Sequence, residues 1–252
     1  MEMSKIKFLQ QIYSKQCENG DYIILAVKGP GIKWKDVPIQ YNQKTITKEL
    51  RSFFRQYPSS NYDLYWSPAP YATPHRRITD FLDTKYLVQD IDEIEHPESI
   101  KPKPSYIWES SPGKYQGLWE LDRYIKEEEY TPLNKALANK IGCDECFDAV
   151  HVYRIPGTQN HKYKNSPRIT LPISHKIIYK PKKLKRILKV NNTVDNKKGA
   201  VNTNDLTERQ LYAKYNIPKK ARDLLALTSD TGLDRSNVIW YIENKLHELG
   251  MN

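Results

Sequence analysis

The sequence predicts an α+β protein: a mixed, largely antiparallel sheet flanked by helices, with a small C-terminal helical bundle appended. Three observations carry that reading. Short β-branched and aromatic runs lie between helical segments in no regular alternation, which argues against a doubly wound parallel sheet. Hydrophobic residues make up 38% of the 252 residues, enough for a core, while a mean hydropathy of −0.75 accompanies a chain with no apolar run long enough to span a bilayer. After a polar break near residue 200, only helical periodicity is left.

In order along the chain, Asp21–Lys28 (DYIILAVK) is an apolar, β-branched run ending at Gly29-Pro30-Gly31, a strand into a turn. Thr45–Tyr57 places Leu50, Phe53 and Phe54 at helical spacing and stops before Pro58. Asp63–Trp66, Tyr86–Ile94, Ser105–Glu109 and Gln116–Leu121 read as further strands. Thr131-Pro132, an N-cap followed by proline at the first helical position, predicts a helix to about Ile141. Val150–Arg154 and Arg168–Ile173 supply two more strands.

The domain plan follows from composition. Residues 1–188 form the main domain, the polar, Asn-rich stretch 189–204 is a linker, and 205–252 a small helical domain. Asp205-Leu206-Thr207-Glu208 has capping-box spacing, Pro218 breaks the first helix, and the last helix carries Val238, Ile239, Ile242, Leu246 and Leu249 on one face.

Charge is unevenly placed. The chain carries 40 Lys+Arg against 30 Asp+Glu, and from Ser174 onward the count is sixteen against eight. Lys176, Lys180, Lys182, Lys183, Lys185, Arg186 and Lys189 fall in one acid-free block. Such a block attracts polyanions, nucleic acid first among them, or serves as a solvated linker. Three cysteines cannot build a disulfide framework and fit a reducing cytoplasm, and the amino terminus lacks a secretory h-region.

The most informative segment is Leu87-Val88-Gln89-Asp90-Ile91-Asp92. Two carboxylates at i and i+2 of a strand face the same way, about 6.5–7 Å apart, and repel unless a cation lies between them. A pair of divalent ions so held is a device for phosphoryl transfer; the other reading is a strand end running into an acidic loop. Ser110-Ser111-Pro112-Gly113-Lys114-Tyr115-Gln116 joins two strands, and its hydroxyls, lysine and backbone N–H groups suit phosphate oxygens as well as an ordinary hairpin. Arg154-Ile155-Pro156-Gly157-Thr158-Gln159-Asn160-His161-Lys162 is a second basic turn that suits a triphosphate or a plain surface. Cys143-x-x-Cys146 has no second pair to complete a zinc site, the six histidines lack ligand spacing, and no P-loop, G-x-G-x-x-G or H-E-x-x-H occurs. Some of the eighteen tyrosines suit stacking on unpaired bases.

Taken in order, these segments resemble the archaeo-eukaryotic primase superfamily, in particular the primase-polymerase domains of plasmids and phages. Leu87–Asp92 resembles its first motif, Ser111–Gln116 its second, with Gln116 where histidine is common, and Gly142–Asp148 through Arg154 to Lys162 its third motif and following basic loop; Arg76-Arg77 also fits that branch. The resemblance spans about Leu25 to Ile173. It implies that Asp90, Asp92 and Asp144, with Asp148 as a rival for the third place, are catalytic carboxylates that hold Mg²⁺ or Mn²⁺. It implies further that Ser111, Gln116, Arg154, Asn160 and Lys162 bind the nucleotide. Leu233-Asp234-Arg235-Ser236 is similar to a helix of the small modules that follow such domains, though Asp234 or Ser236 equally suits plain capping.

The implied function is a template-dependent nucleotidyltransferase, a DNA primase or DNA polymerase acting on single-stranded DNA and nucleoside triphosphates in plasmid or phage replication. Lys180, Lys182, Lys183, Lys185 and Arg186 are the expected DNA-binding cations, any helicase acts in trans, and no membrane is involved. The alternatives are a non-catalytic single-stranded or origin DNA-binding module with a degenerate site, and a metal-dependent nuclease.

Overall fold

The structure, a computed structural model, describes residues 4–92, 96–143 and 148–190. The expected helical domain 205–252, nearly all of the linker, and Asp144 lie outside the described residues. Everything described falls in the first of two units into which the chain divides, Met1–Asn192.

The elements are α1 (Lys5–Ser14), β1 (Tyr22–Gly29), β2 (Ile32–Gln40), α2 (Ile46–Gln56), β3 (Asp63–Trp66), β4 (Thr84–Ile91), β5 (Tyr106–Ser111), β6 (Lys114–Ile125), α3 (Glu127–Ile141), β7 (Tyr153–Arg154), β8 (Ile173–Ser174), β9 (Ile178–Tyr179) and α4 (Pro181–Ile187). They build two sheets where the sequence suggested one. The first, in order β2-β1-β3-β7, is antiparallel throughout. The second, in order β4-β6-β5-β8, is antiparallel too, and β9 adds a parallel pairing on β6.

Side-chain alternation divides the interior into two cores. One face of the first sheet (Ile23, Leu25, Val27, Leu64, Trp66) packs with α1 (Phe8, Leu9, Ile12, Tyr13), with α2 (Leu50, Phe53) and with one face of the second sheet (Tyr86, Val88, Tyr106, Trp108, Leu118). Phe8 sits edge-on to both Trp66 and Trp108, contacts worth about 0.5–1.5 kcal/mol each beyond their area. The opposite face of the second sheet (Leu87, Ile91, Ile107, Trp119, Leu121) is covered by α3 and α4 through Tyr130, Leu133, Leu137, Leu184 and Leu188. Along β4 the row facing the first core therefore reads Tyr86, Val88, Asp90: two core residues and then a carboxylate.

Several elements depart from the sequence reading. The third helix starts at Glu127, so Thr131 is no N-cap and Pro132 lies inside it. Glu127, Glu128 and Glu129 occupy its first turn, where the helix dipole favours them, and Thr131 Oγ1 bonds Glu127 Oε1 at 2.9 Å. Its end holds: Gly142 takes φ 72° as the C-cap. Of Val150–Arg154 only Tyr153–Arg154 forms a strand, and of Arg168–Ile173 only Ile173, in β8, while Arg168 makes an isolated bridge to Gln159. The hairpin partner β2 went unassigned because it carries Pro38 among alternating charges; as the outermost strand it has no ladder partner on one side, where proline is tolerated.

Candidate active site

The carboxylates come from the end of β4. Register places Asp90 opposite Gln116, and Gln116 opposite Trp108 on the next strand, so the three side chains form one cross-strand row. The row is hydrogen-bonded end to end: the Trp108 indole donates to Gln116 Oε1 at 2.9 Å, and Gln116 Nε2 donates to Asp90 Oδ1 at 2.6 Å. An indole N–H can only donate, so it fixes which end of the Gln116 amide faces Asp90. Glutamine here delivers an N–H to the carboxylate without bringing a charge. Behind the row, the buried Gln89 ties β4 to α3, donating to the Asn134 carbonyl and to Asn134 Oδ1 at 2.9 and 2.7 Å.

The two aspartates sit in different surroundings. Burial pushes the Asp90 carboxyl above its ordinary range; the Gln116 bond pulls it back, as does His151, Asp92 adds to the rise and Arg154 opposes it. Asp92 is half-exposed and pairs with Lys114 Nζ at 2.9 Å. Lys114 reaches it from the β5–β6 hairpin, whose Gly113 takes φ 73°, a conformation that a side chain would strain.

Across the cleft stands the end of the first sheet. Arg154 pairs with Asp63, which also accepts the His161 backbone N–H at 2.8 Å, and the guanidinium carbon lies 4.9 Å over the Tyr65 ring. His151 Nε2 is 3.9 Å from Asp90 Oδ2, and His151 Nδ1 is 3.7 Å from Asp148 Oδ2. Asn160 is buried and joins the two basic turns, donating to the Ser110 carbonyl at 3.0 Å and accepting from the Lys162 N–H at 3.1 Å. Ser111 Oγ lies 3.4 Å from the Tyr163 hydroxyl.

All of the described residues assigned to catalysis or nucleotide binding from sequence, namely Asp90, Asp92, Ser111, Gln116, Arg154, Asn160 and Lys162, line one cavity of about 240 Å³. Asp148 enters only through His151, and its Oδ1 accepts the Val150 N–H at 3.0 Å. Among the described residues no group of three or more His, Cys, Asp or Glu has the spacing to hold a metal. Tyr65, Ser110, His151 and Tyr163 line the cavity without having been singled out as site residues. Nothing local marks a lone histidine such as His151, whose place depends on a strand pairing about ninety residues away in sequence from β3.

The basic block lies elsewhere. Pro181, Leu184 and Leu188 are buried, the two leucines in the second core, so the helix bearing Lys182, Lys183, Lys185 and Arg186 packs on the face of the second sheet opposite Asp90. Lys185 spends its charge on Glu129 at 2.9 Å. This helix and Asp90 therefore lie on opposite faces of the second sheet.

The fold defines a class: it is shared with solved primase and primase-polymerase domains. The primase-polymerase domain of cyanophage S-2L superimposes with a TM-score of 0.57 at 11% identity, covering 73% of this chain and 96% of that one. Primase RepB′ matches with a TM-score of 0.57 at 16% identity over 99% of this chain and 83% of that one. Its catalytic domain, solved in complex with initiator DNA, matches with a TM-score of 0.51 at 17% identity over 71% and 91%. No curated protein sequence matches. Residues 76–211, just over half of the chain and spanning all three motif segments, match the RepB DNA-primase N-terminal domain, and the chain belongs to that family. No helix among the described residues is long and apolar enough to cross a membrane.

Proposed function

We propose that the protein is a template-dependent nucleotidyltransferase that makes or extends primers on single-stranded DNA in plasmid or phage replication. The observation that carries the proposal is a single cleft with carboxylates on one wall, Asp90 and Asp92, and phosphate-binding groups on the other, Arg154 and Lys162, with Lys114 at the hairpin between them. In the reaction the 3′-hydroxyl of the growing strand attacks the α-phosphorus of a nucleoside triphosphate, and pyrophosphate leaves.

A divalent cation fits the donors present. Asp90 is a part-buried carboxylate whose hydrogen-bond partner is a neutral amide, so its charged form is incompletely compensated without a cation. Asp90 and Asp92 would hold Mg²⁺ or Mn²⁺, with Asp144 as the proposed third carboxylate; the ion would supply charge neutralisation and lower the pKa of the attacking hydroxyl. The protein's own groups do the rest. Gln116 holds Asp90 in one rotamer, Lys162 and Arg154 orient the β- and γ-phosphates, and the Ser111 hydroxyl with its hairpin N–H groups takes a phosphate or sugar oxygen. Lys114, which pairs with Asp92 at 2.9 Å, would share that carboxylate with a bound cation.

The Lys114–Asp92 ion pair also favours a second reading, a DNA-binding module in which Asp92 is neutralised internally. Nucleotide incorporation on single-stranded DNA, with and without primer, in Mg²⁺ and in Mn²⁺, separates the two. Template-directed products that vanish in Asp90→Ala/Asp92→Ala support the enzyme, and unprimed products add priming. Equal template binding by parent and variant with no incorporation by either supports the module.

A further inference from the structure

The outer face of the first sheet carries an aromatic pair, the exposed Trp34 and the half-buried Tyr65, of which Trp34 lies outside the site above. Ile23, Leu25, Val27, Leu64 and Trp66 point into the core, so by alternation Ala26, Lys28, Asp63 and Tyr65 point away from it. On that outer face the Tyr65 ring has Arg154 on one side, at 4.9 Å, and Trp34 on another, with ring centroids 5.1 Å apart and planes inclined by 44°. Trp34 is 43% exposed, whereas the other described tryptophans, Trp66, Trp108 and Trp119, are buried.

This tryptophan is held in place rather than left loose. Its indole N–H donates to Asp36 Oδ1 at 2.9 Å, Asp36 pairs with Arg76 at 3.1 Å, and Arg76 donates to the Val150 carbonyl, one residue before His151. An apolar ring fixed in an exposed position, at the cost of leaving its surface wet, is preorganised for something that covers it. The rim is cationic once its acids are counted: Asp36 and Asp63 are each answered by an arginine, and Lys28 lies exposed on the same face. Rings to stack on and cations beside them are what an unpaired nucleic-acid strand takes.

Tyr65 lines the catalytic cavity and Trp34 does not. A ligand reaching Trp34 must therefore extend beyond the cavity, as a strand does and a single nucleotide does not. We infer that Trp34 and Tyr65 form the stacking platform for an unpaired template base next to the cleft, and that template leaves the active site over the first sheet. The assignment of that strand as template rests on the nucleotidyltransferase reading; the stacking itself does not.

The test is binding of a fluorescently labelled oligo(dT) to the full chain without nucleotide, with Trp34→Ala and Trp34→Phe beside the parent. Trp34→Ala is expected to weaken binding about 5- to 150-fold, the range for one stacked base, and Trp34→Phe to recover most of it. The salt dependence stays unchanged, because no phosphate contact is lost. Nucleoside triphosphate affinity, measured separately, also stays unchanged. Parental oligonucleotide affinity in Trp34→Ala overturns the platform, as does a parent that does not bind oligo(dT). An equal loss of oligonucleotide and triphosphate affinity assigns the rings to the incoming nucleotide and overturns the template assignment. A platform effect in a protein that incorporates nothing leaves the stacking standing and removes only the enzyme reading.

Discussion

The two sheets meet at one cleft but bring opposite chemistry to it. The second sheet supplies acids and their neutral support, Asp90, Asp92, Gln116 and Trp108, from three strands in tight register. The first supplies cations and aromatic faces, Arg154 and Tyr65, from two short strands and the turns beyond them. The acidic wall is thus built from side chains at neighbouring ladder positions, where a shift of one residue would turn every carboxylate into the opposite core. The basic wall instead rests on ion pairs and loop contacts. The lesson is that the acidic half depends on register and the basic half on long-range pairing, so each half fails in its own way.

The largest effect expected is on the acidic wall. Asp90→Asn/Asp92→Asn should reduce nucleotide incorporation by about 10³-fold or more, the several kcal/mol that metal-assisted charge stabilisation supplies. Stability should move the other way. Burial raises the Asp90 carboxyl above its unfolded value, so the folded state holds its proton more tightly and loses stability as pH rises from the unfolded pKa through the folded one. At neutral pH Asp90→Asn removes that penalty, and thermal melting should show a higher Tm together with lost activity. A lower Tm would mean that the charged carboxylate has a partner beyond Gln116, His151 and Arg154.

On the basic wall the expected order is reversed, with structure failing first. Arg154 and Asp63 are both largely buried, and Arg154→Ala leaves Asp63 unanswered, costing about 3–5 kcal/mol measurable by urea unfolding. Arg154→Lys keeps the charge but loses the fork and the stack on Tyr65, so it should raise KM for the triphosphate while costing less stability. If Arg154→Ala unfolded no more easily than Asp90→Asn, the contrast between the walls would fall.

Gln116 tests the join between sequence motif and geometry. Gln116→Leu leaves the Trp108 indole as a buried unpaired donor and should cost about 1–3 kcal/mol. Gln116→His should retain activity, because one ring nitrogen can accept from Trp108 while the other donates to Asp90. Incorporation kinetics and melting on both variants check this; an inactive histidine variant would show that the neutral amide is required.

The same contrast explains what was legible in the sequence. Asp90 and Asp92 could be read because an i, i+2 pair on an apolar strand is a local pattern, and the Ser111–Gln116 hairpin because Pro112-Gly113 marks its turn. That Asp90, Gln116 and Trp108 form one row needed the register of three strands, which no local pattern carries. Tyr65, His151 and Trp34 gain their meaning only from neighbours distant in sequence. The first helix has a face of its own, Phe8, Leu9, Ile12 and Tyr13 behind the capping Ser4, but its local signal is weaker than that of the apolar run that follows. The basic block is legible as charge, but its orientation depends on Leu184 and Leu188, two apolar residues in a charged stretch that are buried in the second core.

The smallest effect lies behind the acidic wall, where Glu129 on α3 accepts from Arg123 of β6 and Lys185 of α4 at 2.8 and 2.9 Å. Burial alone would raise this carboxyl, but the two cations hold it below its ordinary value. A depressed carboxyl contributes stability that is present above the unfolded pKa of about 4.3 and is lost as pH falls through the folded value. Lys185→Ala should therefore cost about 0.5 kcal/mol at pH 7, since these charges are only partly shielded from solvent, and the difference from the parent should shrink as pH falls below about 4. Oligonucleotide binding by the same variant bears on both faces of the second sheet. Because α4 packs opposite Asp90, removing Lys185 should leave affinity close to parental, whereas a loss as large as that expected for Trp34→Ala would return the template path to the basic helix.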